Sequence, residues 1–502
     1  MPARRYFAPH PPGACCDIIL SFVTSTQPRS TSLIAPSQLW KFGVLLAVYF
    51  FVALALPRPE SVKPEGWRLL GIFLATIAGL VLQPIPGGAL VLLAVTLSSV
   101  LGGLKISQAL EGYADSSVWL VVAAFMISRA LINSGLARRI ALLFVRLFGK
   151  SSLGVCYSLS LTDVVLASII PSNCARSGGV VLPILRSICE LYGSNPGATA
   201  GIIGTFLFAS VYQSICISSA MFFTGQASNP LAANFAANAG FPITWASWFA
   251  AGVVPGLCSI FLAPLVVRIL LPPAVRHTPE ASAFARKELR SMGRLSAAER
   301  ILAVVFVSVC LTWVTSGTLH KVDITVTALI GCCVLLLSGV LTWEDVKNER
   351  ALWDIFIWYG GLVKLGRALN DAGVTQVFAR NVAATFSTAG WVTLFVVALV
   401  IYFYAHYAFA SITAHILAMY PPFLAVLVAK GAPLGLVAFS FAIFVNLAAG
   451  LTHYGTTPSP MYFAMEYVSM KDWWKIGFAV SLCNLLVWGT IGFAWWKVLG
   501  IW

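Results

Sequence analysis

What most constrains this chain is its series of long, nearly unbroken apolar runs. Residues 40–56, 67–82, 89–104, 245–271, 301–313, 322–341 and 474–496 are mostly hydrophobic. Most approach the roughly 20 residues that a helix needs to cross a bilayer core. The runs are continuous rather than alternating, so helices are expected and a β-barrel is not. Only 10% of the 502 residues are charged, against roughly 25% in a soluble domain. Too few charges remain to coat a water-facing surface. The fold class read from this pattern is an all-α polytopic membrane protein, with the lipid bilayer as its surroundings.

The net charge of +14 is distributed in a way that argues against a nucleic-acid partner. The longest polar stretch, residues 272–300, sets Arg276, Arg286, Lys287, Arg290, Arg294 and Arg300 against Glu280, Glu288 and Glu299. The positive-inside bias puts that loop in the cytoplasm or its equivalent. It reads as a solvated cytoplasmic helix, with an anionic-lipid or regulatory site as the sharper alternative. The loop separates a first transmembrane half, 39–271, from a second, 301–502. The eleven cysteines lie mostly in or beside apolar segments and lack ligand spacing. They read as buried small hydrophobes, with neither a disulfide framework nor a zinc site expected. Residues 1–38 carry Arg4, Arg5 and Arg29 and a single acid, Asp17. They read equally as a transit peptide, a disordered tail or a start codon set too far upstream.

The two halves repeat each other weakly but in order. Arg129-Ala130-Leu131 and Gly135 match Arg367-Ala368-Leu369 and Gly373 at an offset of 238. Ser172, Ala175 and Pro183 meet Ser411, Ala414 and Pro422 at 239, and Gly225 and Pro230 meet Gly455 and Pro460. Residues 137–150 hold Arg138, Arg139, Arg146 and Lys150, while their counterpart, 375–388, holds only Arg380. Equivalent segments of such different basic content belong on opposite sides of the membrane. That is the signature of inverted-topology repeats, an architecture of transporters with the site between the halves.

In each half an apolar region is broken at its centre. Residues 154–190 are interrupted around Ser172-Asn173-Cys174, and residues 391–430 around Ser411-Ile412-Thr413. Each is long enough for two half-membrane arms of a re-entrant hairpin. Irregular backbone at that depth is tolerated where it lines a cavity or is buried in protein. Short polar side chains, free N–H groups and helix N-termini there would face an anion. The bland reading is polar residues that merely join packed helices. Two further broken runs hold Ser218, Ser219, Gly225 and Asn229 in one half and Thr452, His453, Gly455 and Thr456 in the other. Gly and Pro there mark discontinuous helices whose half-ends point at substrate or ions.

These residues carry a resemblance. Pro171-Ser172-Asn173-Cys174-Ala175-Arg176, Ser218-Ser219, Ala227-Ser228-Asn229-Pro230, Thr452-His453-Tyr454-Gly455 and Ala494-Trp495-Trp496-Lys497 resemble the divalent anion/sodium symporter family. The likeness is strongest to its branch of 2-oxoglutarate/malate (plastid dicarboxylate), citrate and tartrate translocators. It runs from about residue 40 to the C-terminus. The resemblance implies about eleven spanning helices, two re-entrant hairpins and a homodimer working by an elevator movement. It also implies that Ser172, Asn173 and Cys174, with Ser411, Ile412 and Thr413, bind substrate. Cys174 puts a weak donor where the family has a hydroxyl. Ile412 removes an amide oxygen that would help hold sodium, which puts the sodium sites in doubt.

Arg176 and His415 stand at matching positions, four residues after each tip serine. They read as cations that compensate an anionic substrate, with a structural role as the plain alternative for each. The expected function is secondary active exchange of di- or tricarboxylates of the 2-oxoglutarate, malate, succinate or citrate class. A sodium-coupled symporter is the alternative, and an anion channel a further one. No nucleophile elbow or His-Glu-x-x-His motif suggests an enzyme, and no cofactor or metal is expected beyond sodium. The expected location is a bacterial inner membrane, or else a plastid inner envelope.

Overall fold

The structure, a computed structural model, describes residues 38–374, 377 and 390–502. Almost all of the tail and the basic-poor counterpart around Arg380 lie outside the described residues. Within them the chain is helical, and eight helices are long and apolar enough to cross a membrane. Four shorter apolar helices accompany them.

The first half runs α1 (Leu39–Phe50), α2 (Pro64–Leu82), α3 (Gly87–Val100), α4 (Ser116–Asn133), α5 (Leu136–Phe148) and α6 (Ser152–Ala167). After a break come α7 (Leu182–Leu191), α8 (Gly204–Met221), α9 (Asn229–Asn238) and α10 (Trp245–Leu270). The polar loop forms α11 (Pro279–Ser291). The second half runs α12 (Ala297–Thr315), α13 (Ile324–Leu337), α14 (Arg350–Asp371), α15 (Trp391–Ala405), α16 (Ile412–Ala429) and α17 (Leu434–Ala448). The last span, α18, is Met470–Val498, with a π turn at Trp488–Gly492.

Local chemistry sets the ends. Asp115, Ser151, Thr244, Ser296 and Ser469 each accept a backbone N–H of the first turn they precede, satisfying a donor that the helix itself leaves orphaned. Gly135, at φ 81°, turns α4 into α5 through a left-handed conformation that glycine adopts at little cost. Gly112 is held bare for a different reason: a Cβ there would stand 2.0 Å from the Gly360 carbonyl oxygen.

Equivalent helices of the two halves pack antiparallel. At one end of α4, Tyr113 bonds the Ile357 carbonyl and Asp115 pairs with Arg367 of α14. At the other end, Arg129 pairs with Glu349 (3.7 Å) and Asn133 bonds Asp345 (2.9 Å). The last long helices of the halves, α10 and α18, do the same. Trp488 donates to Ser259 (3.1 Å) and Trp496 to the Ala251 carbonyl (2.8 Å). Two halves of opposite orientation require this arrangement.

The polar loop departs from the expectation of a solvated helix. Thr278 donates its N–H to Lys150 and its hydroxyl to Gly149, while the Ser152 N–H bonds Arg276. Tyr192, at the end of α7, donates to Glu280 (2.8 Å) and accepts from the Ala281 N–H. The Tyr192 bond holds the Glu280 carboxyl below its ordinary range. Arg139 of α5 joins Glu299 at 2.6 Å and reaches the Gly293 carbonyl. One exposed face of α11 meets water, but its other face is strapped across both arms of the first broken region.

Candidate functional site

Each broken region is built around a serine cap. After α6 the chain runs extended to Ser172, whose Oγ accepts the Ala175 N–H at 3.1 Å. A helical turn at Asn173–Arg176 then leads through a π turn into α7. After α15 the chain runs through His406–Ala408 to Ser411, whose Oγ accepts the Ala414 N–H at 3.4 Å. The serines hold β-region angles, as a cap must before the first helical residue.

The two breaks meet at one cavity of about 720 Å³. Ser172, Asn173, Cys174, Ser411, Ile412 and Thr413 all line it, together with Thr456 and Thr457 from the late break and Gln226 from the early one. Asn173 stitches the two halves: it donates to Thr456 (3.0 Å) and accepts from Thr457 (3.1 Å). Ile412, the matching residue, has no polar atom with which to reciprocate toward the early break. Cys174 turns its sulfur to Met461 at 3.3 Å.

Arg176 and His415 are placed differently from the expectation. Arg176 is fully buried and is not part of the cavity wall. Its Nε donates to Asp163 at 3.0 Å, and its other nitrogens bond the Ile170 and Gly225 carbonyls and Ser219. Ser218 donates to the same Asp163 carboxylate. A guanidinium out of water needs a counter-charge and filled donors, and Asp163 and the broken helix supply both. Its charge is compensated inside the protein rather than by a substrate.

His415 is likewise buried behind its tip, with Nδ1 2.8 Å from His406 Nδ1. His406 Nε2 bonds the Gly455 carbonyl at 2.9 Å. The halves thus solve one problem twice: a basic side chain under the tip reaches the glycine carbonyl of the neighbouring break, directly from Arg176 and through His406 from His415. Tyr402, which stands where Asp163 does, packs its ring 4.4 Å from His415. The charge-compensating role expected of both residues is therefore corrected to one of anchoring the tips.

The broken-helix residues divide in the same way. Ser218, Ser219 and Gly225 hold the Arg176 cluster. Asn229 donates to the Ser219 and Phe222 carbonyls and accepts from Asn446. Thr452 and Gly455 are buried, and the half-buried His453 takes a bond from Trp474 (3.3 Å). Only Thr456 of this set reaches the cavity. Gln226, Thr457 and, from α14, Asp354 and Trp358 also line it. Gln226 and Thr457 could have been found from their adjacency to the breaks, whereas nothing local marks Asp354 or Trp358. Among the described residues no cluster of three His, Cys, Asp or Glu could hold a metal.

A helical membrane protein with broken helices from both halves gathered on one polar cavity is built as a transporter, not as an enzyme. The chain belongs to the family described as the sodium:sulfate symporter transmembrane region, whose profile matches residues 36–502. It is 44% identical over 89% of its length to YflS of Bacillus subtilis, whose name proposes a malate transporter, covering 94% of that protein. It is 40% identical, again over 89% of its length and 79% of the relative, to Dicarboxylate transporter 1, chloroplastic, of Spinacia oleracea. The solved Alcanivorax borkumensis YdaH transporter shares the fold at 13% identity and a TM-score of 0.51, with 92% of this chain and 98% of that one covered.

Proposed function

We propose that this protein is a secondary transporter that exchanges small carboxylates of the 2-oxoglutarate and malate class by elevator-type alternating access. The carrying observation is that the serine-capped starts of two equivalent helices line one cavity. Helix N-termini attract carboxylates through unpaired N–H groups and the helix dipole. The names of the relatives from Bacillus subtilis and spinach support the cargo class. The two tips correspond to re-entrant hairpins in a fold of about eleven spans, and a homodimer in a bacterial inner membrane is the expected setting, the plastid envelope being the alternative.

Exchange rather than symport rests on Ile412, which offers no side-chain oxygen to a sodium ion at the second tip. Arg176 does not contribute to that argument, because Asp163 already balances it. Sodium-coupled symport is the second reading, favoured by the intact Ser172-Asn173 pair at the first tip. Proteoliposomes loaded with unlabelled malate should take up labelled malate or 2-oxoglutarate equally in sodium and choline buffers. Empty vesicles should take up little. Robust uptake into empty vesicles that climbs with external sodium would replace exchange with symport.

A further inference from the structure

The charge inventory of the cavity is lopsided. Among the described residues its wall holds no Lys, Arg or His and one carboxylate, that of Asp354. Asp354 lies in the second turn of α14, lines the same cavity as the two tips, and is exposed. It has no ion pair or hydrogen bond to a described residue. The carboxylate rests on Gly88 at the start of α3, where a Cβ would come within 2.4 Å of Asp354 Oδ1. Arg176, the basic side chain nearest the first tip in sequence, is neutralised by Asp163.

An anion in this cavity is therefore held by the partial positive ends of two helices, roughly half a charge each, and is opposed by one fixed negative charge. Such a balance tolerates two negative charges better than three. We propose that Asp354 is a charge filter that restricts the cargo to dianionic dicarboxylates and rejects trianionic tricarboxylates. The inference rests on the carboxylate-exchange reading above and narrows its substrate class. One additional cargo charge about 8 Å from the carboxylate costs between about twofold and about thirtyfold in affinity, as the effective dielectric runs from roughly 80 down to roughly 20.

The experiment is competition in proteoliposomes loaded with malate, at a pH where citrate is trianionic. Uptake of labelled malate is inhibited with unlabelled succinate or citrate, and the ratio of their half-inhibiting concentrations is read. Wild type should need far more citrate than succinate. Asp354→Asn should lower that ratio by about twofold or more, while Asp354→Glu, which keeps the charge, should leave it high. Asp354→Ser, which also removes the charge, should lower the ratio as Asp354→Asn does and gives a second handle should that variant fail to fold. A ratio that Asp354→Asn leaves unchanged, or a wild type that does not distinguish the two acids, overturns the filter. A wild type that exchanges no carboxylate at all sinks the proposed function instead.

Discussion

Asp163 and Arg176 form a pair with no exposed surface, and among the described residues each is the other's only counter-charge. Removing one partner strands a charge in a dry interior, at a cost of about 3–5 kcal/mol. Arg176→Ala should therefore lose most of its folded, monodisperse protein. The double variant Asp163→Leu with Arg176→Met should recover much of it, as seen in thermal melts of detergent-solubilised material. If Arg176→Ala melts like wild type but fails to bind substrate, the anchor role assigned here is wrong. The cap serines behave differently. Ser172→Ala and Ser411→Ala each remove a cap worth about 1 kcal/mol, which a chain of this size survives. Each should nevertheless weaken substrate affinity by about tenfold, because a tip that frays no longer presents its N–H groups. Wild-type affinity in both would detach the caps from the site. The tips were legible because Ser172 and Ser411 are polar residues in apolar surroundings at one offset. The Arg176 partnership was not, since Asp163 and the 218–225 break approach it only after three separate segments pack. Asp354 looked like an ordinary charge near the start of a helix, and nothing local marks it as part of a cavity wall.

At the level of elements, the loop at 272–300 shows where reading charge alone stops short. Its basic residues predicted a side of the membrane, and they remain mostly exposed on α11. What the pattern could not convey is the backbone pairing of Arg276 and Thr278 with Lys150 and Ser152, because such bonds depend on no particular side chain. The loop acts as a tie between α5, α6 and the end of α7. It should resist trypsin despite Arg286, Lys287 and Arg290, since cleavage requires local unfolding. Arg139→Ala combined with Tyr192→Phe should open it and yield two fragments near the sizes of the halves. Rapid cutting of the wild type at these sites would contradict the tie. The second broken region has no such tie from a described residue, so the first should move together with the loop at 272–300.

For the whole molecule, hydrophobic patterning alone was enough to read a polytopic helical protein. The antiparallel packing of α4 with α14 and of α10 with α18 needed the structure, because orientation is a relation between segments rather than a property of either. The elevator reading makes a demand on the contact between α9 and α14. A Cβ at Gly366 would lie 2.8 Å from the Phe235 ring, so Gly366→Leu should wedge this seam and slow exchange sharply, as read by labelled malate uptake into malate-loaded vesicles. Transport at full rate in Gly366→Leu would mean that this seam does not slide.

The reciprocal contacts between α4 and α14 also have a consequence in time. Asn133 and Asp345 are 212 residues apart, and Arg367 and Asp115 are 252 apart. At roughly 5–20 residues per second of synthesis, the partners of α4 emerge roughly 10–50 s after it does. For that interval the nascent first half lacks the cross-half partners of both ends of α4. The ribosome thus delivers a half that must wait in the membrane, and neither half expressed without the other should accumulate.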